Sequence, residues 1–473
     1  MKYWLPTVSL TLLCAGCARF DSRPLSPADT AAKLDARRLD DAGLKKFLET
    51  NLDHELDIWP LKSWDLKTLT LVAFFYHPSL EVARAQWAVA QAGVKTAGGR
   101  PNPTLILTPG YDFSAANGLS PWIPFFSADV PVETAGKRGR RIARAQHVSE
   151  AARWNIATAA WQTRSNVRAS LLDFRLAGQR VSLLENQLAV QERIVKLLEQ
   201  RLEVGAISRL ELTAARIALN KSRLDLGDAK SKSAAARAHL AESLGVSVSA
   251  LDGADLSFDF AARSTEALTS DEARRVSLRG RSDILSALSD YAAAEAELRL
   301  QIAKQYPDVH LNPGYQFDQG DNKWTLGITF ELPVLNQNQG PIAEARARRQ
   351  EAAARFTELQ AKVIGEIDRT VAAYRAANEQ LTAADSLLDA ERQQQQSVEA
   401  QLRAGAADPL DLLNVQFELG AAALAQLDGQ ARLQQSVGAL EDALQRPIDA
   451  TQGATSASSL LDTAERAQDH STK

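Results

Sequence analysis

The sequence is poor in the residues that fill globular cores and build active sites. Among 473 residues there is one methionine, and aromatic side chains make up only 6%, too little bulk for the stacked cores that a chain of this length would otherwise hold. Cysteine is confined to Cys14 and Cys17, so the body of the chain has neither a disulfide framework nor a thiolate metal site. The histidines, His54, His77, His147, His239, His310 and His470, are scattered without ligand spacing, and no phosphate loop or nucleophile elbow occurs. No catalytic residue, metal site or cofactor is expected, and the chain does not read as an enzyme. A formal net charge of -4 leaves no basic excess, which argues against nucleic acid as a partner. No apolar run of about 18 residues occurs beyond the extreme N-terminus, so no helical membrane span is expected.

What the chain does have is Ala, Leu, Gln, Arg and Glu, the residues of long helices, and a duplication. Pro109-Gly110-Tyr111-Asp112-Phe113 returns as Pro313-Gly314-Tyr315-Gln316-Phe317. A similar lag runs through the flanking segments, with Trp87 answered by Tyr291. Self-similarity at that spacing means that a whole unit is repeated, here helix, strand pair, long helix, sharp turn and helix.

Each strand pair alternates with period two. Leu105, Leu107, Pro109, Tyr111 and Phe113 match Val309, Leu311, Pro313, Tyr315 and Phe317. The next run sets Trp324, Leu326, Ile328, Phe330 and Leu332 against Thr325, Gly327, Thr329 and Glu331, and its earlier copy spans Trp122 to Val130. A tilted strand of about ten residues crosses a bilayer, and alternating faces suit lipid on one side and water on the other. Four such strands cannot close a barrel. Open edges are not tolerated in hydrocarbon, so several copies must pool their strands.

The helix after the first strand pair is expected from about Arg140 to Glu203, roughly 95 Å. Val167, Phe174, Val181, Leu188, Val195 and Leu202 recur every seventh position, and Leu176, Leu183, Val190 and Leu197 form a second such series on the opposite flank. One seam makes a coiled-coil pair; two seams require a neighbour on each side, hence a wall of helices. The helix ends in Val204-Gly205-Ala206-Ile207-Ser208 with Leu210 and Glu211, answered by Ala404-Gly405-Ala406-Ala407-Asp408 with Pro409, Leu410 and Asp411. Glycine supplies a left-handed C-cap, and Ser208 or Asp408 caps the next helix with an acid three residues on. Helices are also expected over Asp65–Tyr76, Leu80–Gly98 and Ile284–Lys304, and returning from each tip to about Leu244 and Leu444.

At the N-terminus, Lys2 and an apolar run to Leu13 read as an export signal. Ala15-Gly16-Cys17 resembles a bacterial lipobox, with Cys14 where leucine is usual; the resemblance implies acylation of Cys17, and Ala18 resembles the outer-membrane sorting pattern. The domain reading is therefore 1–16 signal peptide, 17–62 lipidated arm carrying one short helix, 63–245 first repeat, 246–281 equatorial linker, 282–448 second repeat and 449–473 disordered tail. Phe258, Phe260 and Val276 are expected to pack the linker as a belt.

Four further features point to a family. Pro131-Val132-Glu133 with Gly136-Lys137-Arg138 follows the first strand pair, and Leu332-Pro333-Val334-Leu335-Asn336-Gln337-Asn338-Gln339-Gly340 leads into Ile342, Ala343 and Ala345 in the second. With both hairpin tips, this ordered set resembles the outer-membrane efflux proteins of the TolC type, especially the lipoprotein exit ducts of resistance-nodulation-division tripartite pumps. The resemblance implies a mainly helical fold with a small transmembrane β part: a homotrimer whose twelve pooled strands form one outer-membrane barrel, continued by a periplasmic helical barrel. It implies as partners a periplasmic membrane-fusion adaptor, docking on both tips (Val204 to Ser208, Leu210, Ala404 to Asp408 and Leu410), an inner-membrane efflux transporter, and outer-membrane lipid. It further implies a pore gate at Asp411, with Asn414 where the family can carry a second acid; Asp411 also stands where a capping-box acid belongs, and both readings stay open. The expected function is a passive exit duct for solutes, heavy-metal ions or drugs, expelled by a transporter. The alternative is a lipid-anchored periplasmic coiled-coil scaffold without a pore, which would have no use for long alternating apolar strands.

Overall fold

A computed structural model of the chain describes residues 20–116, 118–259, 269–447 and 462–463. The signal segment, Cys17, Phe260 and all of the tail but two residues lie outside these. The first repeat runs α3 (Leu66–Tyr76), α4 (Pro78–Ala97), β2 (Thr104–Tyr111), β3 (Trp122–Val132), α5 (Lys137–Glu203) and α6 (Arg209–Leu244). Before it stand α1 (Pro27–Asp35), α2 (Ala42–Leu52) and the short β1 (Ser63–Trp64). A linker with β4 (Asp255–Leu256) and α7 (Asp271–Gly280) leads to α8 (Ser282–Ala303), β5 (Val309–Asp318), β6 (Asp321–Phe330), α9 (Gln339–Arg403) and α10 (Pro409–Leu444).

The two long helices contain 67 and 65 residues, about 100 Å each. Neither stands alone. Near the strands α5 lies between α4 and α8, and α8 also packs on α9; toward the tips α5 lies between α6 and α10, and α10 also packs on α9. Each pair of shorter helices thus runs end to end along a long one. Near mid-helix the two heptad series of α5 serve different neighbours: Val167 joins Leu240 and Leu244 of α6 in the largest core, whereas Leu176 and Leu183 pack with Leu427 and Ala431 of α10; toward the tips Val190 and Val195 share one core with both.

Between α5 and α10 sits a buried ionic cluster. Glu441, 1% exposed, takes Arg164 and Arg168, each at 3.2 Å. Arg168 Nη1 also donates to the Gln434 carbonyl at 2.9 Å. Opposite Arg168 stands Gly438, where a Cβ would collide with the guanidinium. Such a cluster is costly to desolvate, and removing one partner leaves a buried charge uncompensated; it therefore resists any slip of one helix along the other.

Three expectations need correcting. The arm holds two helices rather than one, because Ser26 and Asp41 each supply an N-cap; α2 buries Leu44, Phe47 and Leu48 in the same core as α3, α5 and α6. Of the linker residues expected to pack, Phe258 does, whereas Val276 is 44% exposed because α7 turns Ala273 and Ser277 inward instead. Strand β6 ends at Phe330, so Leu332 falls outside it, without a strand partner on that side. The linker is tied to the arm by the parallel pairing of β1 with β4.

Next to the cluster, Asp442 accepts hydrogen bonds from Trp161 Nε1 at 2.9 Å and Ser165 Oγ at 2.5 Å. Burial nevertheless pushes its carboxyl above the ordinary value. A raised folded value means that its stabilising contribution is complete below the unfolded carboxylate range of about 4 and is lost as pH rises through the raised value. Asp442→Asn keeps an acceptor for Trp161 and removes the titration. The variant is expected to melt above the parent at neutral pH, with the two melting temperatures converging near about pH 4; a variant that melts no higher at neutral pH would show that burial does not destabilise this carboxylate.

Candidate functional site

The four long strands form one antiparallel sheet in the order β2-β3-β5-β6, leaving β2 and β6 as edges. Its registers put alternate residues of all strands on common faces. Tyr111 opposes Trp122, Leu107 opposes Phe126, Phe126 opposes Tyr315, and Tyr315 opposes Trp324. Val130, Leu311 and Ile328 align in the same way across three strands. The result is one continuous apolar face, and it is bare: Trp324 is 79%, Leu326 67% and Ile328 61% exposed. Ring contacts of Tyr111 with Trp122, and of Tyr315 with Phe126 and Trp324, form an aromatic row toward the hairpin end, as at a membrane interface. The β5–β6 hairpin closes through Gln319 and Gly320, both at positive φ, the two-residue turn that matches strand twist.

The other face sets a polar ladder beside Ile106, Ile123 and Phe125. Asp129 of β3 lies 2.8 Å from His310 Nδ1 and accepts from Asn312 Nδ2 at 3.2 Å. Asn312 Oδ1 accepts from Thr329 Oγ1 at 3.0 Å. This ladder across three strands went unnoticed in the sequence, where His310 counted only as one scattered histidine. Strand parity could have found it, since all four residues occupy alternation positions opposite the apolar ones.

At the foot of the sheet the family-like motifs turn strand into helix. Thr134 donates through its backbone N–H to Asp308 Oδ1 at 2.9 Å and through its hydroxyl to the Pro307 carbonyl at 2.5 Å. Lys137, buried at the start of α5, pairs with the same Asp308 at 2.8 Å. Glu133 pairs with Arg141, which also donates to the Gly99 carbonyl at 3.2 Å. In the second repeat Asn338 Nδ2 donates to the Gln301 carbonyl at 2.7 Å. These are anchoring contacts rather than chemistry.

The opposite end brings the two tips together. Gly205 and Gly405 adopt φ 70° and 74°, and the amides of Ala206 and Ala406 bond back to the Arg201 and Gln401 carbonyls at 2.8 Å, the expected Schellman closure. Ser208 Oγ accepts from the Glu211 amide at 3.3 Å. Asp408 accepts from the Leu410 amide at 2.7 Å, and its own N–H donates to Asp411 Oδ2 at 3.0 Å, a complete capping box. The Leu410 amide, and then Arg201 of the other tip, hold the Asp408 carboxyl below its ordinary value. Val204, Ala206, Leu210, Ala404 and Ala406 are exposed, whereas Ile207 and Leu410 are half-buried against Val190, Ile194, Leu198 and Leu212. Asp411 and Asn414 lie exposed on one face of α10. Sequence reading also missed a stripe on α6, Leu210, Ile217 and Leu224, 79%, 66% and 74% exposed; its sevenfold spacing was the available signal.

Among the described residues, no group of histidine, cysteine or carboxylate side chains could hold a metal ion, and no helix is long and apolar enough to cross a membrane. The two faces of the sheet can be told apart by substitution. Arg in place of Ile328, on the bare apolar face, is expected to cost about 2–4 kcal/mol if that face meets lipid at the midplane. Thr329→Arg, one residue on, points to the polar side and should cost far less. Denaturant titration of both variants in bilayers reads the difference, and equal losses would refute the facing.

Over 222 residues the chain is 25% identical to the cobalt-zinc-cadmium resistance protein CzcC of Cupriavidus metallidurans, a match covering 46% of this chain and 51% of that protein; the chain thus spans about half the length of the curated relative it matches. Among solved structures, the CmeC outer membrane channel of Campylobacter jejuni superposes with a TM-score of 0.67 at 16% identity, covering 86% of this chain and 89% of that one. The outer membrane protein VceC of Vibrio cholerae superposes with a TM-score of 0.66 at 20% identity, covering 81% and 97%. At these identities the two structures establish the fold. A family model described as outer membrane efflux protein matches residues 76–246 and 274–445, one segment in each repeat and most of the chain, and by that match the chain belongs to the outer membrane efflux protein family.

Proposed function

We propose that three copies of the chain pool their sheets into one twelve-stranded outer-membrane barrel, continued into the periplasm by a tube of helices. In this reading the assembly is the passive exit duct of a tripartite efflux pump. An inner-membrane transporter supplies the energy, and a periplasmic membrane-fusion adaptor joins the two. The observation that carries it is the sheet itself: apolar over one whole face, with a polar ladder of Asp129, His310, Asn312 and Thr329 on the other, and two unpaired edges. A lone sheet of that kind cannot exist in hydrocarbon, where every backbone N–H and C=O needs a partner. The exposed stripe on α6 supports the same assembly, because α6 lies at one rim of the helical wall and offers a second seam to a neighbouring copy. Cargo falls to the class that the pump selects, heavy-metal ions or organic drugs; the name of the relative CzcC favours divalent metal ions.

The gate is proposed at Asp411. Three copies would converge on the axis and favour cations by focusing the potential, while Asn414 supplies no second acid. Asp411 also caps α10, so ionic screening separates the roles: at about 1 M salt the Debye length falls to ~3 Å, which silences a ring of charge but spares a local hydrogen bond. Purified protein in planar bilayers is expected to give stepwise conductance. Asp411→Asn should shift cation preference at low salt and converge on the parent at high salt. No conductance at all would favour a poreless scaffold, and unchanged selectivity with a lowered melting temperature would reduce Asp411 to a cap.

The tips are the proposed adaptor site, because Val204, Ala206, Ala404 and Ala406 make a low, apolar end on which a helical hairpin can pack. Glu at both Ala206 and Ala406 is expected to abolish crosslinking to the adaptor while leaving the assembly intact. Undiminished crosslinking would move the contact elsewhere.

A further inference from the structure

The duplication supplies a template for the one strand pairing that a single chain lacks. β2 and β5 correspond at an offset of 204, as Gly110-Tyr111 and Gly314-Tyr315 show. β3 and β6 correspond at 202: Trp122 answers Trp324, and the left-handed residue before each long helix is Gly136 at φ 68° in one repeat and Asn338 at φ 61° in the other. Both hairpins keep these offsets, since Leu107 opposes Phe126 as Leu311 opposes Ile328.

The repeats differ in what lies beyond the second strand. β3 is paired with β5 as far as Val132, and the segment after it is latched by Thr134 and Lys137 onto Pro307 and Asp308. β6 has no such neighbour and stops at Phe330. Leu332, Val334 and Leu335 then stand 66%, 76% and 96% exposed, whereas Val130, the counterpart of Leu332, is half-buried and Val132, the counterpart of Val334, is 44% exposed. Large apolar side chains left bare just past the end of an open edge strand mark a contact surface.

We infer that β6 of one copy pairs with β2 of the next in the register that β3 and β5 use within a chain, and this rests on the multi-copy barrel proposed above. Transposing Phe126–Tyr315 sets Ile328 opposite Tyr111 of the next copy. Transposing Val130–Leu311 sets Leu332 opposite Leu107, and Val132–Val309 sets Val334 opposite Leu105. The pairing lengthens β6 to Val334 and carries the apolar face across the seam. Registers slipped by two residues either way would keep the faces matched as well, so facing alone does not choose among them. The latch does. Asn336 takes the place of Thr134, and Pro103-Thr104 of the next copy takes that of Pro307-Asp308; Thr104 has no carboxylate, so the bond to the Pro307 carbonyl is the part of the latch that is repeated. Asn336 Oδ1 already accepts from the Asn338 amide at 2.9 Å, which leaves Nδ2 to donate to the Pro103 carbonyl as the Thr134 hydroxyl donates to Pro307.

Cysteine pairs in the full chain test the register. Leu332→Cys is combined in turn with Leu107→Cys, Leu105→Cys and Pro109→Cys, and Asn336→Cys with Pro103→Cys, in outer membranes exposed to a mild oxidant; the parent, with its own Cys14 and Cys17, is the control. Leu332 with Leu107, and Asn336 with Pro103, are expected to convert most of the chain to reductant-sensitive dimers and trimers on denaturing gels, and the two slipped pairs are expected to leave it monomeric. The register is overturned if a slipped pair couples instead, or if none couples in copies that a lysine-reactive crosslinker joins into trimers. Monomers alone with that crosslinker would overturn the multi-copy reading and the register with it.

Discussion

Backbone hydrogen bonding at a sheet edge is the constraint on which the rest of this chain depends. A face made of Leu107, Phe126, Leu311, Tyr315 and Ile328 is too apolar to remain in water, yet β2 and β6 carry unpaired amides and carbonyls that cannot enter lipid. Soluble proteins blunt such edges with charge, proline or bulges. Apart from Lys323, already paired with Asp318 near the hairpin turn, β6 carries no basic side chain. In the multi-copy barrel proposed above, a strand of a neighbouring copy resolves the conflict at each edge.

The helices answer a different demand. A wall a hundred ångströms long has little thickness in which to build a core, so its stability is spread along seams of alternating contacts instead of gathered in one centre. The largest core lies where the arm and linker thicken the wall, joining Phe47, Trp64, Phe74 and Leu171. The buried pairing of Glu441 with Arg164 and Arg168 sits at that level, on the boundary between α5 and α10. At the tips, caps take over from cores: left-handed glycines, Ser208, Asp408 and the cross-tip pair of Arg201 with Asp408 satisfy the helix ends.

The two repeats meet equal backbone demands with unequal residues. A left-handed residue opens each long helix, glycine at 136 and asparagine at 338, and another closes each return helix, Gly245 in the first repeat and Gln445 in the second. At Gly245 a Cβ would press on Tyr76 and His77, which demands glycine. Gln445 takes the left-handed conformation with a side chain that accepts from the Ser282 amide at 2.8 Å. Duplicated backbones thus keep their geometry while their contacts diverge, which is why one repeat can serve as a template for the other.

Much of this architecture was legible from local patterns. Period-two runs, heptads and cap residues depend on neighbours a few positions away, so the strands, the long helices and both tips could be placed within a few residues. The two heptad series of α5 marked its two neighbours at mid-helix, but not near the tips, where both series enter one core. The second helix of the arm, the exposure of Val276 and the end of β6 were not legible, because each depends on what another segment leaves room for. The ladder from Asp129 to Thr329 joins residues some two hundred positions apart, and the pairing of Arg201 with Asp408 spans a similar distance. Sequence alone determined which faces are apolar and where the chain turns, since those follow from side-chain chemistry at fixed local spacing. Which polar groups meet, and which edges stay open, only the tertiary structure decided, because register between distant strands and helices is set by packing that no single segment encodes.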